Sequence, residues 1–279
     1  MTVSIAHLGP SGTYAEAAAL AYANWLTKTG KEAVLCPYPS IAQTLRATAQ
    51  GQTHLAVVPV ENSIEGSVVI TLDTLWQLDM LQIQQALVLP VAHALLSRAE
   101  NLAAIRTVYS HPQALAQCQR WLEQFLVQPL ELIPSNSTTE VLQHLNEDRT
   151  IAAIASTRAA QLYNLPMLAH PINDYPDNCT RFWVMGLQPS TGGSHTSLAF
   201  SVPANVPGAL VKPLQVFASR GINLSRIESR PTKRSLGDYL FFIDLEADAS
   251  QTAVESALTE LIDYTETLKI FGSYTILPI

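Results

Sequence analysis

The chain has 279 residues, room for roughly two domains, and its 48% hydrophobic and 14% charged residues are the composition of a globular protein, not a disordered one. A net charge of -7, with no Lys/Arg cluster richer than Arg226, Arg230, Lys233 and Arg234, excludes a nucleic-acid partner, which needs a basic face to neutralise phosphates. No run reaches the roughly 18 apolar residues of a membrane helix, the opening residues read as a strand and not a signal peptide, and three widely spaced cysteines (Cys36, Cys118, Cys179) point to a reducing compartment without structural zinc, so the expected location is cytoplasmic.

Up to residue 187 short apolar runs alternate with helical patterns. Strands are expected at Ser4–Leu8, Ala33–Pro37, Leu55–Pro59, Val108–Tyr109, Leu130–Ile133 and Ile151–Ala155, and helices at Tyr14–Trp25, Ile41–Ala49, Pro112–Phe125, Thr138–Leu145 and Thr157–Leu162. Such alternation implies an α/β domain with a mainly parallel sheet. The apolar stretch Ala86–Leu96 is interrupted by Pro90 and His93. The polar, Gly-rich segment 188–195 reads as a linker. Beyond it the pattern changes to strand Thr196–Val202, helix Gly208–Ser219, strands Asn223–Arg230 and Tyr239–Leu245, helix Gln251–Tyr264 and strand Leu268–Leu277. That is the βαββαβ order of a ferredoxin-like fold. Pro213 sits badly inside its helix, which must start later than Gly208 or kink.

In open α/β sheets ligands bind beyond the carboxyl ends of the strands. Those positions hold Gly9–Thr13, Glu61–Ser63, Ser110–Gln113 and Ser135–Thr138. Thr13/Glu16, Ser110/Gln113 and Ser137/Glu140 have capping-box spacing. Caps alone only start helices, but several helix N-termini aimed at one crevice make an anion site. Nine Lys/Arg precede the linker, and only Arg181 lies in a polar-turn motif, Asp174–Phe182. It can form a surface pair with Asp174 or Asp177, or hold an organic acid bidentately. The seven histidines show no metal-ligand spacing, and no dinucleotide loop, P-loop or nucleophile elbow is present, so no metal or cofactor is expected.

The segments GPSGTYAEAA (9–18), PVENSIEGSV (59–68), YSHPQALAQC (109–118), NSTTEV (136–141) and PDNCTRF (176–182) resemble, in order, the signature set of prephenate dehydratases. PGAL (207–210) and INLSRIESRP (222–231) resemble the ACT regulatory domain fused to them. The resemblance implies a two-lobed, periplasmic-binding-protein-like catalytic domain over 1–187, with lobes of about 1–80 plus 170–187 and 81–169, followed by the linker and an ACT domain at 196–279. It implies decarboxylating dehydration of prephenate to phenylpyruvate, with Thr180 at the departing hydroxyl, Asn62 and Gln117 in the site, and Glu61 as relay or orienter. Ser11, Thr13, Ser110, Ser137, Thr138, Arg181 and Phe182 would contact the substrate, with Arg181 or the helix N-termini on its side-chain carboxylate. Phenylalanine would bind around Gly208, Ala209, Leu210, Asn223, Leu224, Glu228 and Ser229, between the ACT domains of a homodimer or homotetramer. A chain cut after Gly193 would keep some activity and lose the phenylalanine response. The alternatives are arogenate dehydratase, which differs by one keto group exchanged for an ammonium, and a non-catalytic amino-acid sensor.

Overall fold

The computed structural model describes residues 2–126, 129–135, 142, 145 and 148–278. Its first segment runs β1 (Val3–Leu8), α1 (Tyr14–Lys28), β2 (Ala33–Tyr38), α2 (Ile41–Ala49), β3 (Leu55–Asn62), a two-residue β4 (Gly66–Ser67), α3 (Val69–Gln77) and β5 (Gln82–Pro90). β1 pairs in parallel with β2 and β3, as the alternation predicts. α1 starts where Thr13 Oγ1 accepts from Glu16 N and Glu16 Oε2 accepts from Gly12 N. Its Ala15, Ala18, Ala19, Tyr22, Ala23 and Leu26 recur at helical spacing and pack on Ile5, Val57 and Val184. α3 was not expected. It lacks a side-chain cap, and its β-branched start favours a strand locally; burial of Leu72 and Leu75 overrides that preference.

A second segment follows: β6 (His93–Leu96), β7 (Thr107–Ser110), α4 (Pro112–Ala116), α5 (Gln119–Phe125), β8 (Glu131–Pro134), β9 (Ile151–Ser156), α6 (Thr157–Leu162) and β10 (Met167–Ala169). Its sheet has the order β10-β6-β9-β7-β8. The chain then returns through β11 (Cys179–Gly186), which lies antiparallel between β5 and β3 in the first sheet. Three expectations change here. The stretch 86–96 is two strands in two sheets, so the first lobe extends to Pro90, past the boundary at 80. The polar turn around Thr180 and Arg181 is the start of a strand. The helix 112–125 breaks at Gln117–Cys118. The expected helix 138–145 falls mostly outside the described residues.

Two crossovers join the lobes and are bonded to each other. Val91 N donates to Asn178 O (2.8 Å), Ile172 N to His93 O (3.0 Å), His93 N to Asn173 Oδ1 (2.6 Å) and Asn173 Nδ2 to Val91 O (2.9 Å). Two α/β lobes on paired crossovers form the periplasmic-binding-protein-like arrangement that the resemblance implied.

The third segment is β12 (His195–Ser201), α7 (Val211–Ala218), β13 (Leu224–Pro231), β14 (Tyr239–Leu245), α8 (Thr252–Leu261) and β15 (Thr267–Tyr274), with sheet order β13-β14-β12-β15. This is the ferredoxin-like fold. Pro213 is accommodated because α7 starts at Val211, which puts the proline in the first turn, where its missing N–H has no helical acceptor. The expected last strand is divided. After Tyr274 the chain leaves this sheet, and β16 (Ile276–Pro278) pairs in parallel with β5, Ile276 opposite Ala86. One face of the third sheet packs on α7 and α8 through Leu198, Phe200, Val216, Phe217 and Leu258. The other face, with Ala199, Phe242, Phe271 and Tyr274, shares a core with Leu72, Leu81, Ile83, Trp183 and Met185 of the first lobe. Each such side chain returned to water costs about 1.5–3 kcal/mol. A chain cut after Gly193 loses β16 and bares the first-lobe side chains that this face covers. Among the described residues no helix is long and apolar enough to cross a membrane.

Candidate active site

β3 and β11 run antiparallel through the middle of the first sheet, with Thr180 opposite Asn62 and Arg181 opposite Glu61. Successive side chains on a strand face opposite sides. One side of the pair, with Asn62, Thr180 and Phe182, lines a cavity of about 970 Å³ that also meets Thr13, Tyr14, His93, His111 and Gln117. The other side, with Glu61 and Arg181, faces the ferredoxin-like sheet.

On the cavity side a chain of amides fixes the threonine. Asn62 Nδ2 donates to Thr180 Oγ1 (3.0 Å) and Asn178 Oδ1 (2.8 Å), while its Oδ1 accepts from Ile64 N and Glu65 N. With its oxygen taken as an acceptor, Thr180 has its O–H left to donate into the cavity. Asn178 Nδ2 donates to Gln117 Oε1 (2.9 Å), and Gln117 Nε2 donates to Glu65 Oε1 (3.2 Å). Among the described lining residues Glu65 is the only acid, and none is Lys or Arg.

Gln117 ends α4 one turn past Gln113, on the face that lines the cavity, and the helix is interrupted just after it. Gln117 N still donates to Gln113 O, but a new helix starts at Gln119, with Leu122 N donating to Cys118 O. Asp174, from the return crossover, caps that start by accepting from Arg120 N and Trp121 N, and its own N–H donates to Gln117 O. Asp174 is thus spent on a helix end and not on Arg181. Cys118 is fully buried beside the break, and burial, with the Asp174 charge nearby, pushes its thiol up to about 12. It is a packing residue.

On the far side, Arg181 Nη2 donates to Glu61 Oε2 (2.5 Å) and to Asp244 Oδ2 (2.9 Å) of β14. Asp244 is fully buried and also accepts from Arg226 Nε (2.8 Å) and Ser197 Oγ (2.6 Å). Burial opposes ionisation of Asp244, but Arg226, Arg181 and Ser197 outweigh it and hold the carboxyl below the usual carboxylate range. Burial likewise opposes the Arg226 charge, and Asp244 outweighs it.

The sequence profile of prephenate dehydratase matches residues 5–190, and that of the ACT domain residues 196–263. The chain belongs to the prephenate dehydratase family. The bifunctional chorismate mutase/prephenate dehydratase of Aquifex aeolicus is 41% identical over 275 residues, spanning 98% of this chain and 73% of that protein. The prephenate dehydratase of Lactococcus lactis subsp. cremoris is 34% identical over 98% of both chains. Among solved structures, the prephenate dehydratase of Arthrobacter aurescens in complex with L-Phe superposes with a TM-score of 0.88 at 34% identity, covering 98% of this chain and 90% of that one.

Within this family member the residues expected in the site divide. Thr13, Asn62, Gln117, Thr180 and Phe182 meet at the cavity. Glu61 and Arg181 stand behind it, so no guanidinium of Arg181 is available to a substrate carboxylate there. Ser110 is fully buried and donates to Ile154 O (2.7 Å), spent on the sheet. The Ser110/Gln113 box does not form, because His111 is the cap and accepts from Gln113 N. Ser11 is not among the lining residues. Ser137 and Thr138 lie outside the described residues. Sequence reasoning missed Tyr14, Glu65, His93 and Asn178. Three of these sat inside the recognised motifs, and His93 was visible as a lone polar residue in an apolar run, which burial makes informative.

Of the residues expected to hold phenylalanine, Gly208 has φ +81 ahead of α7 and Leu210 is that helix's cap. Asn223 Nδ2 donates to Glu246 Oε2 (2.7 Å), Leu224 opens the edge strand β13, and Ser229 is exposed on it. Glu228 instead turns toward the catalytic lobe and accepts from Ser67 Oγ (3.3 Å).

Proposed function

We propose that this enzyme converts prephenate to phenylpyruvate, carbon dioxide and water in the cavity between its lobes, and that phenylalanine bound to the ferredoxin-like domain lowers that activity. In this reading residues 1–187 form the catalytic unit, 188–195 the linker and 196–279 the regulatory unit, with 276–278 lent to the catalytic sheet. The observation that carries the proposal is the Thr180 hydroxyl, held through its oxygen by Asn62 and left to donate into the cavity.

The carbon–carboxylate bond of the ring breaks, and its electron pair enters the ring as the ring carbon–oxygen bond breaks. The departing hydroxide takes one proton, and the ring becomes aromatic. The chain has to aid that departure. Thr180 donates to the leaving oxygen, and the Asn62 N–H on its oxygen makes it a better donor. Glu65, the only acid among the described lining residues, takes the relay role expected of Glu61. The ring carboxylate sits against Phe182, Val91 and Ile41, where its charge is poorly solvated and its loss is favoured; tight binding there would stabilise only the ground state. The side-chain carboxylate lies at the N-terminus of α1, beside Thr13 and Tyr14, where free N–H groups favour an anion.

Glu65 also favours a second reading, since its carboxylate could pair with the ammonium of arogenate. Purified protein assayed on prephenate and arogenate side by side, in EDTA, tests both. Turnover of prephenate at the higher kcat/KM is expected. Preference for arogenate would establish the second reading, and activity abolished by EDTA and restored by a divalent ion would overturn the mechanism.

Regulation follows from the contacts behind the site. Arg181, next to Thr180 and paired with Glu61, is bound by Asp244 of the regulatory domain, and the outer edge of β13 carries exposed Ile227 and no strand partner among the described residues, which suits pairing with a second copy. Phenylalanine is expected to weaken apparent prephenate affinity roughly 5- to 150-fold, the usual range of coupling between two sites. Gly208→Val, which forces a branched side chain into a left-handed conformation beside α7, should abolish that response without changing basal turnover. A variant still inhibited at the wild-type phenylalanine concentration would place the effector elsewhere.

A further inference from the structure

His93 begins β6, directly after the outgoing crossover, and is 3% exposed. Its backbone is tied to the return crossover through Asn173 and Ile172. Its ring spans the two lobes. Nε2 lies 3.0 Å from Gln117 Oε1 in the second lobe, and Nδ1 lies 3.2 Å from Tyr14 Oη in the first. Tyr14 Oη also donates to Ala92 O (2.8 Å), and the two rings meet edge to face, centroids 5.5 Å apart.

The partners determine where the imidazole proton is. Gln117 Nε2 faces the carboxylate of Glu65, so the Gln117 oxygen is the atom presented to Asn178 Nδ2 and to His93. Nε2 of His93 must therefore carry the hydrogen, and Nδ1 is bare, with the single O–H of Tyr14 shared between it and Ala92 O. Burial, against the opposing pull of the Gln117 hydrogen bond, holds the imidazole pKa below its ordinary value, which keeps this neutral tautomer in place. With two donors on its oxygen, the Gln117 amide cannot rotate. Turned over, it would set its oxygen against the Glu65 carboxylate and its NH2 against two donors.

We propose that His93 is a positioning residue for the dehydratase reaction: by donating from Nε2 it fixes the Gln117 carboxamide so that its NH2 and Glu65 stay aimed into the cavity. This rests on the reading of the cavity as the prephenate site. His93 itself touches no reacting atom in this scheme and acts through Gln117.

Two short amides separate the ring nitrogens. In His93→Gln the side-chain NH2 falls near the place of Nε2, and in His93→Asn it falls near the place of Nδ1. His93→Asn is expected to lose kcat by about tenfold or more, the scale of one oriented hydrogen bond, with KM little changed, and His93→Gln should recover most of it. In a Gln117→Ala background the same two substitutions should produce no further loss, since the group they act on is gone. Wild-type turnover of prephenate is the control for the underlying reading, and its absence would remove that reading. With wild-type turnover present, equal activity of the Asn and Gln variants, or losses that simply add to that of Gln117→Ala, would overturn the positioning role.

Discussion

Thr180→Ala is expected to lower kcat by about a hundredfold or more, the range for loss of a proton-donating or oriented hydrogen-bonding group. The substitution removes the only hydroxyl that the Asn62 amide holds, and it leaves Asn178, Gln117 and Glu65 bonded to one another. The pocket should keep its shape, so KM should move far less than kcat. Thr180→Ser keeps the oxygen and should keep much of the rate. Phenylalanine binding, followed by calorimetry, should persist in both variants, because the substitution lies on the cavity side of β11 and the regulatory contacts on the other. A kcat for Thr180→Ala within a few-fold of wild type would take Thr180 out of the mechanism.

Asp244→Ala should have the largest effect on stability, about 3–5 kcal/mol, the cost of leaving buried charge unpaired. Asp244 is fully buried, and the side chains of Arg226 and Arg181 that it binds are 5% and 13% exposed. Urea unfolding reads this as a lower midpoint. The same pair gives a pH dependence. The native Asp244 carboxyl titrates below its unfolded value, so its contribution is complete above the ordinary carboxylate range and is lost as pH falls through the depressed native value. Wild type should therefore lose stability on acidification across that window, and Asp244→Asn should lose less. An unchanged urea midpoint in Asp244→Ala would mean that the two arginines find other partners. Because Arg181 adjoins Thr180, the alanine variant should also respond weakly to phenylalanine even where it remains folded.

Where a single element is decided by its own residues, the sequence was a sufficient guide. Ser40 caps α2 and the periodic residues end at Ala49, and the helix has those bounds. The βαββαβ order of the regulatory domain was legible for the same reason. What stayed hidden depends on partners. β5 and β6 form one apolar run, and only their pairing with different sheets separates them. The resemblance implied Arg181 at a substrate carboxylate and Glu61 as relay or orienter, and the segments around Thr180 and Asn62 read as turns. Once both are strands, neighbours must face opposite sides, and Thr180 and Arg181 cannot share a cavity. That rule was available from the sequence had the strand been recognised. Gln117 lies one helical turn past Gln113, and both line the cavity; the break after it, capped by Asp174 more than fifty residues on, could not be read from the sequence.

The crossing of Ile276–Pro278 into the catalytic sheet bears on how the chain folds as it is made. β5 reads QIQQALVLP, a strand of high β-propensity, and its outer edge is covered by residues synthesised only after the whole ferredoxin-like fold. While the nascent catalytic lobes emerge from the ribosome, that edge offers unpaired backbone groups to any neighbouring chain, the ordinary route to misassembly. The ferredoxin-like domain, by delivering β16 and covering Ile83 and Trp183, closes that edge once it is made.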